Sequence, residues 1–277
     1  MTAHDRQQRA ADFAALHQPG KPFLLPNAWD VASAVLLGEA GFPAIGTTSL
    51  AVNAAAGLID GTATGRAQTM ALASTIVPRV SVPVTVDLEG GYSDDPKEVA
   101  ELAAELASIG VVGINLEDVG VDGQLRPPAV QAAIIGAVLA AAPDLFVNAR
   151  TDLYWLNIGL PDGRLAETIQ RLRAYQDAGA RGVFVPALTP LAAIAAVTEQ
   201  VRLPLNVLWH PDIATARLAA AGVARVSTGS APYRRALAAA VATAVAARDG
   251  REPPALDVSY SELQARLQAA QERRARR

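Results

Sequence analysis

Residues 82–117, VPVTVDLEGGYSDDPKEVAELAAELASIGVVGINLE, contain one complete strand–helix–strand unit. The β-branched run Val82–Leu88 reads as a strand. Ser93-Asp94-Asp95 supplies a cap for a helix over Pro96–Ile109, and Gly113–Glu117 reads as the next strand. Two strands joined through a helix run parallel, with the helix as crossover. The same alternation extends in both directions. Strands are expected at Phe23–Pro26, Ala44–Thr48, Leu145–Arg150, Gly182–Pro186, Leu203–Leu208 and Ala224–Ser227, with a further helix over Leu165–Ala178 that stops at Gly179. That makes eight units, the number in a closed (β/α)₈ barrel. A doubly wound open sheet fits less well, because no G-x-G-x-x-G follows the first strand.

Composition limits what the chain can be. Of 277 residues 51% are hydrophobic and 18% charged, which is enough to bury one large core. Pro and Gly are dispersed, so the expectation is one barrel domain over residues 1–277. It carries an N-terminal helix within residues 1–22 and a helical extension over 255–277, where Leu263 and Leu267 share a face of a helix at Ser261–Arg276. A net charge of −3 gives no basic footprint for nucleic acid. The longest apolar stretches, Ala132–Ala142 and Ala236–Ala247, are shorter than the ~20 residues of a membrane span. The first twenty residues have no apolar signal core, and a cytoplasmic location is expected. With no cysteine there is neither a disulfide nor a thiolate ligand or nucleophile.

Polar residues gather at the carboxyl ends of the expected strands, where barrel enzymes place their chemistry. Asp87 and Glu89 are two apart and share a face, as do Asn115 and Glu117, and then Asn148, Arg150 and Asp152. Thr47, Thr48 and Ser49 end the second strand, and Asp60 follows in its loop. Carboxylates converging on one mouth repel unless a cation neutralises them. Hard oxygen donors without cysteine point to Mg²⁺ or Mn²⁺, with one or two direct protein ligands and the rest through water. Arg150 offers a planar fork for a substrate carboxylate. His210, ending the seventh strand, is placed to carry a proton. Tyr92, after Gly90-Gly91, is placed to close over a ligand or to pack on its loop. Asp30 and Asp118 read as structural, and His4 and His17 carry no functional signal.

On these residues the chain resembles the isocitrate lyase/phosphoenolpyruvate mutase superfamily. Val86-Asp87-Leu88-Glu89-Gly90-Gly91-Tyr92 is similar to its D-x-D-x-G-Y metal segment, with Glu for the second Asp. Gly113–Asp118 is similar to its I-E-D strand, and Asn148-Ala149-Arg150-Thr151-Asp152 to its arginine strand. The resemblance implies a (β/α)₈ barrel whose last helix is exchanged between subunits of a homodimer, commonly paired into a homotetramer. It implies Mg²⁺ held directly by Asp87, with Asp60, Glu89 and Glu117 acting through water. Thr48, Ser49 and Leu50 match the segment that binds the pyruvyl carboxylate and oxygen, and Arg150 the carboxylate-binding arginine. The implied chemistry makes or breaks a C–C or P–C bond beside a 2-oxo acid, through an enolate stabilised by the metal and by backbone N–H groups.

The departures narrow the reaction. Where the isocitrate and methylisocitrate lyases carry a cysteine segment, this chain reads Val119-Gly120-Val121-Asp122-Gly123-Gln124-Leu125-Arg126. Where the phosphonate enzymes have Glu-Asp-Lys it has Val119, and Pro186 stands where the mutase has a histidine. The expectation is an Mg²⁺-dependent C–C lyase or decarboxylase on a 2-oxo or 2-hydroxy di- or tricarboxylate, with water, Tyr92 or His210 as proton source. The alternatives are a phosphonopyruvate-type P–C hydrolase and a 2-oxo acid binding protein with little catalysis.

Overall fold

The computed structural model describes residues 3–253, 255 and 258–275. Met1 and Thr2 of the expected N-terminal helix, Pro254 of the Pro-rich lead, and Leu256, Asp257, Arg276 and Arg277 of the expected C-terminal extension lie outside them. The chain runs α1 (Ala3–Ala15), β1 (Phe23–Leu25, continued as Asn27–Ala28), α2 (Val31–Glu39), β2 (Ile45–Thr47), α3 (Ser49–Ala55), α4 (Arg66–Ile76), β3 (Val84–Asp87) and α5 (Pro96–Ile109). It goes on through β4 (Gly113–Glu117), α6 (Pro128–Ala141), β5 (Phe146–Arg150), α7 (Pro161–Asp177), β6 (Gly182–Phe184) and α8 (Leu191–Gln200). β7 (Leu205–Leu208), α9 (Thr215–Ala220), β8 (Arg225–Ser227), α10 (Ala231–Arg248) and α11 (Tyr260–Ala275) complete it.

Every strand pairs in parallel with its neighbour, and the ring closes through β1. Its first half pairs with β8, Leu24 opposite Val226, and its second half with β2, Asn27 opposite Gly46. Pro26 separates the halves because it has no N–H for the ladder. The eight staves stand where the sequence predicts them, one or two residues shorter at most ends. Helix α7 starts four residues before the predicted Leu165, since Pro161 is a favoured first helical residue. The wall of the barrel is apolar; Val86, Leu88, Ile114, Leu116 and Val147 are wholly buried between strands and helices. Asp30 caps α2 through a capping box with Ser33, and Asp95 caps α5, which ends on left-handed Gly110.

The bottom of the barrel is sealed by α1. Phe13 is fully buried and meets Phe23 and Phe146 edge-on, and His17 stacks on Phe146 at 4.0 Å. Burial drives the His17 pKa down to about 3, with Arg225 adding to the effect, so the ring packs as a neutral aromatic. Plugging this end leaves the carboxyl ends of the strands as the open face. In the single chain α11 lies back over α2: Ala270 is fully buried, and Arg266 and Arg273 both reach Glu39, at 3.5 and 3.1 Å. Among the described residues no helix is long and apolar enough to cross a membrane.

Candidate active site

At the open face lies a cavity lined by Thr48, Ser49, Leu50, Asp60, Asp87, Asn115 and Arg150. Asn27, Trp155, Phe184, Pro186, Leu208 and Ser227 complete most of its wall. Ladder register explains this convergence. Asp87 pairs with Asn115, Asn115 with Asn148, and Glu117 with Arg150, so same-parity side chains of β3, β4 and β5 enter the barrel together.

Asp87 is nine-tenths buried. Its Oδ2 accepts the Ser49 N–H at 3.0 Å, at the first turn of α3, and its own N–H is held by Thr47 Oγ1 at 2.9 Å. Its Oδ1 is buried without a hydrogen-bond partner. An anionic oxygen out of water with no donor is costly and fits a cation ligand. Glu89 sits at φ 50°, a left-handed conformation uncommon outside glycine, and leads into Gly90, whose Cβ position falls 2.0 Å from the Val119 carbonyl. This tight turn directs the Glu89 carboxyl to Asn53 Nδ2 at 2.8 Å and the Ala63 N–H at 3.3 Å. Asn53 Nδ2 also approaches Asp60 at 3.4 Å. Glu89 and Glu117 line a narrower pocket beside the main cavity, whereas Asp60 belongs to the cavity itself.

Burial raises the carboxyl pKa values of Glu89 and Asp60, and for Asp60 the Asp87 charge raises it further. Glu117 is held well above the ordinary carboxylate range by burial, with Arg150 opposing. Three acids whose carboxyl pKa values are raised chiefly by burial, gathered around Asp87 and its orphaned oxygen, form a hard-donor set suited to Mg²⁺. Among the described residues no three acidic or histidine side chains group closely enough to enclose an ion alone. Water would therefore complete its shell, as is usual for Mg²⁺.

Arg150 departs from the expected role in one respect. Its Nε and Nη2 form a bidentate pair with Asp152, at 2.5 and 2.7 Å, and Nη1 meets Glu117 at 2.9 Å. The fork expected to grip a substrate is thus closed by the protein itself. A guanidinium has five N–H groups, so one on each Nη is left over. Three other expected residues do not line the main cavity. The Tyr92 hydroxyl is tied to Thr69 Oγ1 at 2.8 Å, outside the main cavity, and burial raises its pKa. His210 is 43% exposed at the rim, 3.7 Å from Asp212, and does not line the cavity. Asn148 lies beneath the cavity, with Nδ2 donating to Asn115 Oδ1 at 2.8 Å.

Other residues escape the sequence reading. Asn53 is an unremarked position inside a helix, and nothing in its neighbourhood marks it. Trp155, 52% exposed over the cavity, does have a signal: Leu153-Tyr154-Trp155-Leu156 is an apolar run directly after a polar strand end. Asp118 is structural. It is fully buried and accepts from the Asp152 N–H at 3.0 Å and the Tyr175 hydroxyl at 2.8 Å, with Arg171 at 3.3 Å. Arg126 reaches the Gly90, Ser93 and Glu117 carbonyls as well as Asp94, which pins the short loop after β4 to the loop after β3.

A parallel eight-stave barrel with carboxylates and an arginine at the carboxyl ends of its strands has the build of an enzyme acting on small anions. The chain matches the phosphoenolpyruvate phosphomutase family over residues 13–248 and belongs to it. It is 45% identical over 255 residues to an uncharacterised protein of Mycobacterium tuberculosis, covering 92% of this chain and 95% of that one. It is 30% identical over 203 residues to an oxaloacetate decarboxylase of Pseudomonas aeruginosa, covering 69% and 67%. In fold it is similar to a phosphonopyruvate hydrolase whose crystal structure contains oxalate and Mg²⁺, with a TM-score of 0.81, 23% identity and coverage of 98% and 97%. The sequence resemblance to this superfamily is thereby supported, and with it the membership of a superfamily of lyases and mutases.

Proposed function

We propose that the protein is a divalent-metal-dependent lyase or decarboxylase that breaks a C–C bond beside the 2-oxo or 2-hydroxy group of a di- or tricarboxylate. The observation that carries this reading is Asp87, which lines the cavity together with Arg150 and whose buried Oδ1 has no protein donor. Asp87 would hold Mg²⁺ directly, with Asp60, Glu89 and Glu117 acting through water. When bound, the ion supplies a Lewis acid for the substrate oxygen next to the bond that breaks. Mn²⁺ has the same donor preferences.

The chain's own residues do the rest. The free N–H groups of Arg150 hold a carboxylate, and Asp152 and Glu117 fix the plane of its guanidinium. Leu50, in the first turn of α3, has an amide without a helical acceptor and can donate to the same ligand. Trp155, Phe184, Pro186 and Leu208 are the apolar wall that limits water. Only Asp60, Asp87 and Arg150 are ionisable among the lining residues, so a reaction asking little proton transfer of the protein suits the cavity best. Carbon–carbon cleavage in which solvent delivers the proton to the product after the bond has broken meets that condition.

The same scarcity of proton carriers supports a second reading, a 2-oxo acid binding protein. Proton NMR of the protein with Mg²⁺ and, separately, oxaloacetate, isocitrate, 2-methylisocitrate and phosphonopyruvate separates the two, each run beside Asp87→Ala. Product in one tube that the variant fails to form establishes the enzyme and names the bond. Silence in all four, with Asp87-dependent broadening of the ligand lines, establishes the binder.

The partner side of the reading is a second copy of this chain. Leu237 and Val241 on α10 are 50% and 64% exposed, and an uncovered apolar helix face favours self-association.

A further inference from the structure

Beneath the cavity the barrel interior holds a cation that the proposed chemistry does not use. Arg225, on β8, is among the largest wholly buried side chains. Among the described residues no carboxylate lies within 4 Å of its guanidinium. Its Nη1 is buried without a partner. Two other bonds define its place: Nη2 donates to Asn115 Oδ1 at 3.1 Å, and Nε donates to Ser227 Oγ at 3.0 Å. Both acceptors line the cavity. A buried arginine with no carboxylate in contact, only the more distant charge of Asp87 acting on it, is expensive to keep. It marks a residue whose direction matters more than its packing.

A guanidinium can only donate. It therefore forces the Asn115 side chain to turn its oxygen downward, where Asn148 Nδ2 supplies a second donor to the same atom at 2.8 Å. Both lone pairs of that oxygen are used, and the Asn115 NH₂ is what remains for the cavity. At Ser227 the effect is opposite. Its oxygen accepts from Arg225, and its one proton goes to Asn206 Oδ1 at 3.0 Å. Toward the cavity Ser227 has a lone pair and no proton. One cation thus gives the floor a donor at Asn115 and an acceptor at Ser227.

We propose that Arg225 is a positioning residue that fixes this donor–acceptor pair and so tunes the cavity toward 2-hydroxy acids over the corresponding 2-oxo acids. A hydroxyl both accepts from Asn115 and donates to Ser227. A keto oxygen only accepts, and sets its lone pairs against that of Ser227. The inference rests on the proposed carboxylic acid site and names the substrate class within it.

The test compares lactate with pyruvate, the smallest stable pair differing only in this group, on the full chain with Mg²⁺ by tryptophan fluorescence titration. The ratio Kd(pyruvate)/Kd(lactate) is expected to fall more than about threefold in Arg225→Met, and likewise in Ser227→Ala, which removes the acceptor and leaves the arginine in place. A smaller change in both overturns the proposal, even if both affinities drop together, because loss of packing alone weakens the two ligands alike. Ser227→Ala carries the test if Arg225→Met does not fold. If the wild-type protein binds neither acid, the site assignment itself has failed. The positioning claim is then read from hydrogen exchange of the Asn115 side-chain amide, identified by its loss in Asn115→Asp. Exchange about tenfold faster in Arg225→Met, with Arg225→Lys nearer wild type, supports it, and unchanged exchange overturns it.

Discussion

Arg150 and Asp152, two residues apart at the end of β5, face each other fork to fork, with Nε–Oδ1 at 2.5 Å and Nη2–Oδ2 at 2.7 Å. The pair orients the guanidinium before any ligand arrives. Asp152 is itself held, through its N–H, by the buried carboxylate of Asp118. Planarity and two-point contact are what a lysine lacks. Arg150→Lys is therefore expected to lower the affinity for oxalate about 10- to 100-fold, corresponding to the ~1.5–3 kcal/mol of a charged hydrogen bond. Calorimetric titration at saturating Mg²⁺ reads this directly. Oxalate binding equal to wild type would remove Arg150 from the ligand site.

Metal and pH are linked through the acid cluster. Glu89, Glu117 and Asp60 have raised carboxyl pKa values in the folded state, chiefly through burial. They hold protons more tightly folded than unfolded. Their contribution to metal-free stability is complete below the ordinary values, 4.5 for the two glutamates and 3.8 for Asp60, and is lost as pH rises through the raised values. A cation replaces those protons. The Tm increase on adding Mg²⁺ should accordingly be larger near pH 8 than near pH 5, and Asp87→Ala should abolish it. An increment that is independent of pH, or that persists in the variant, would place the ion elsewhere.

At the opposite end of the barrel, His17 titrates with the reverse sign. Its pKa is lowered from 6.5 to about 3 by burial, so below 6.5 the unfolded chain takes up a proton that the folded one refuses. Stability from this residue is full above 6.5 and falls as pH drops toward 3, at up to about 1.4 kcal/mol per pH unit. His17→Phe keeps the aromatic contact with Phe146 and removes the proton site. Denaturant midpoints of the two proteins should converge above pH 6.5 and separate below it in favour of the variant. Parallel curves would mean that His17 is protonated inside the fold.

What was legible in the sequence follows a physical divide. Strand placement was, because parallel strands buried on both faces are apolar runs and the polar exceptions fall at one end with a period of two. That spacing also located Asp87, Glu89, Glu117 and Arg150. What those side chains bond to was not, because the bonds depend on register between strands and on loop conformation. Asp152 reads as one more strand-end acid, yet it takes the fork of Arg150. Tyr92 reads either as a lid or as loop packing, and only the structure gives its bond to Thr69. Arg225 sits in Ala-Arg-Val-Ser, where period two places it on the inner face, but an arginine there invites assignment to the surface. Only the closed barrel reveals that it has nowhere to go but inward.

The turn at Gly90 gives a mechanical prediction. A Cβ on Gly90 would lie 2.0 Å from the Val119 carbonyl and 3.2 Å from Arg126 Nη2, so neither the backbone nor the pinned arginine can yield cheaply. Gly90→Ala should cost at least about 2 kcal/mol of stability and displace Glu89 from Asn53. Gly123, left-handed where Gly90 is not and with open space around it, is the control: Gly123→Ala should cost only its backbone strain, about 1 kcal/mol. Equal losses from urea unfolding would show that the contact with Val119 is not what fixes the turn.

The apolar face of α10 determines the last prediction. Among its described residues only Tyr233 and Ala246 are buried, while Leu237 and Val241 stand in solvent beside a run of alanines. A helix with that composition is stable in water mainly when something covers it. A second copy of the chain presents the same surface, as a two-fold interface requires. Light scattering after size exclusion should give about two or four times 28.7 kDa, and Leu237→Glu with Val241→Glu should reduce it to one chain. No residue of α10 lines the cavity, so the charged variant should still bind oxalate with Mg²⁺. A wild-type protein of 28.7 kDa in solution would exclude the second copy and leave α10 bare. A multimer unaffected by the two glutamates would move the interface off α10, toward the α11 helix that here rests on Glu39 of its own chain.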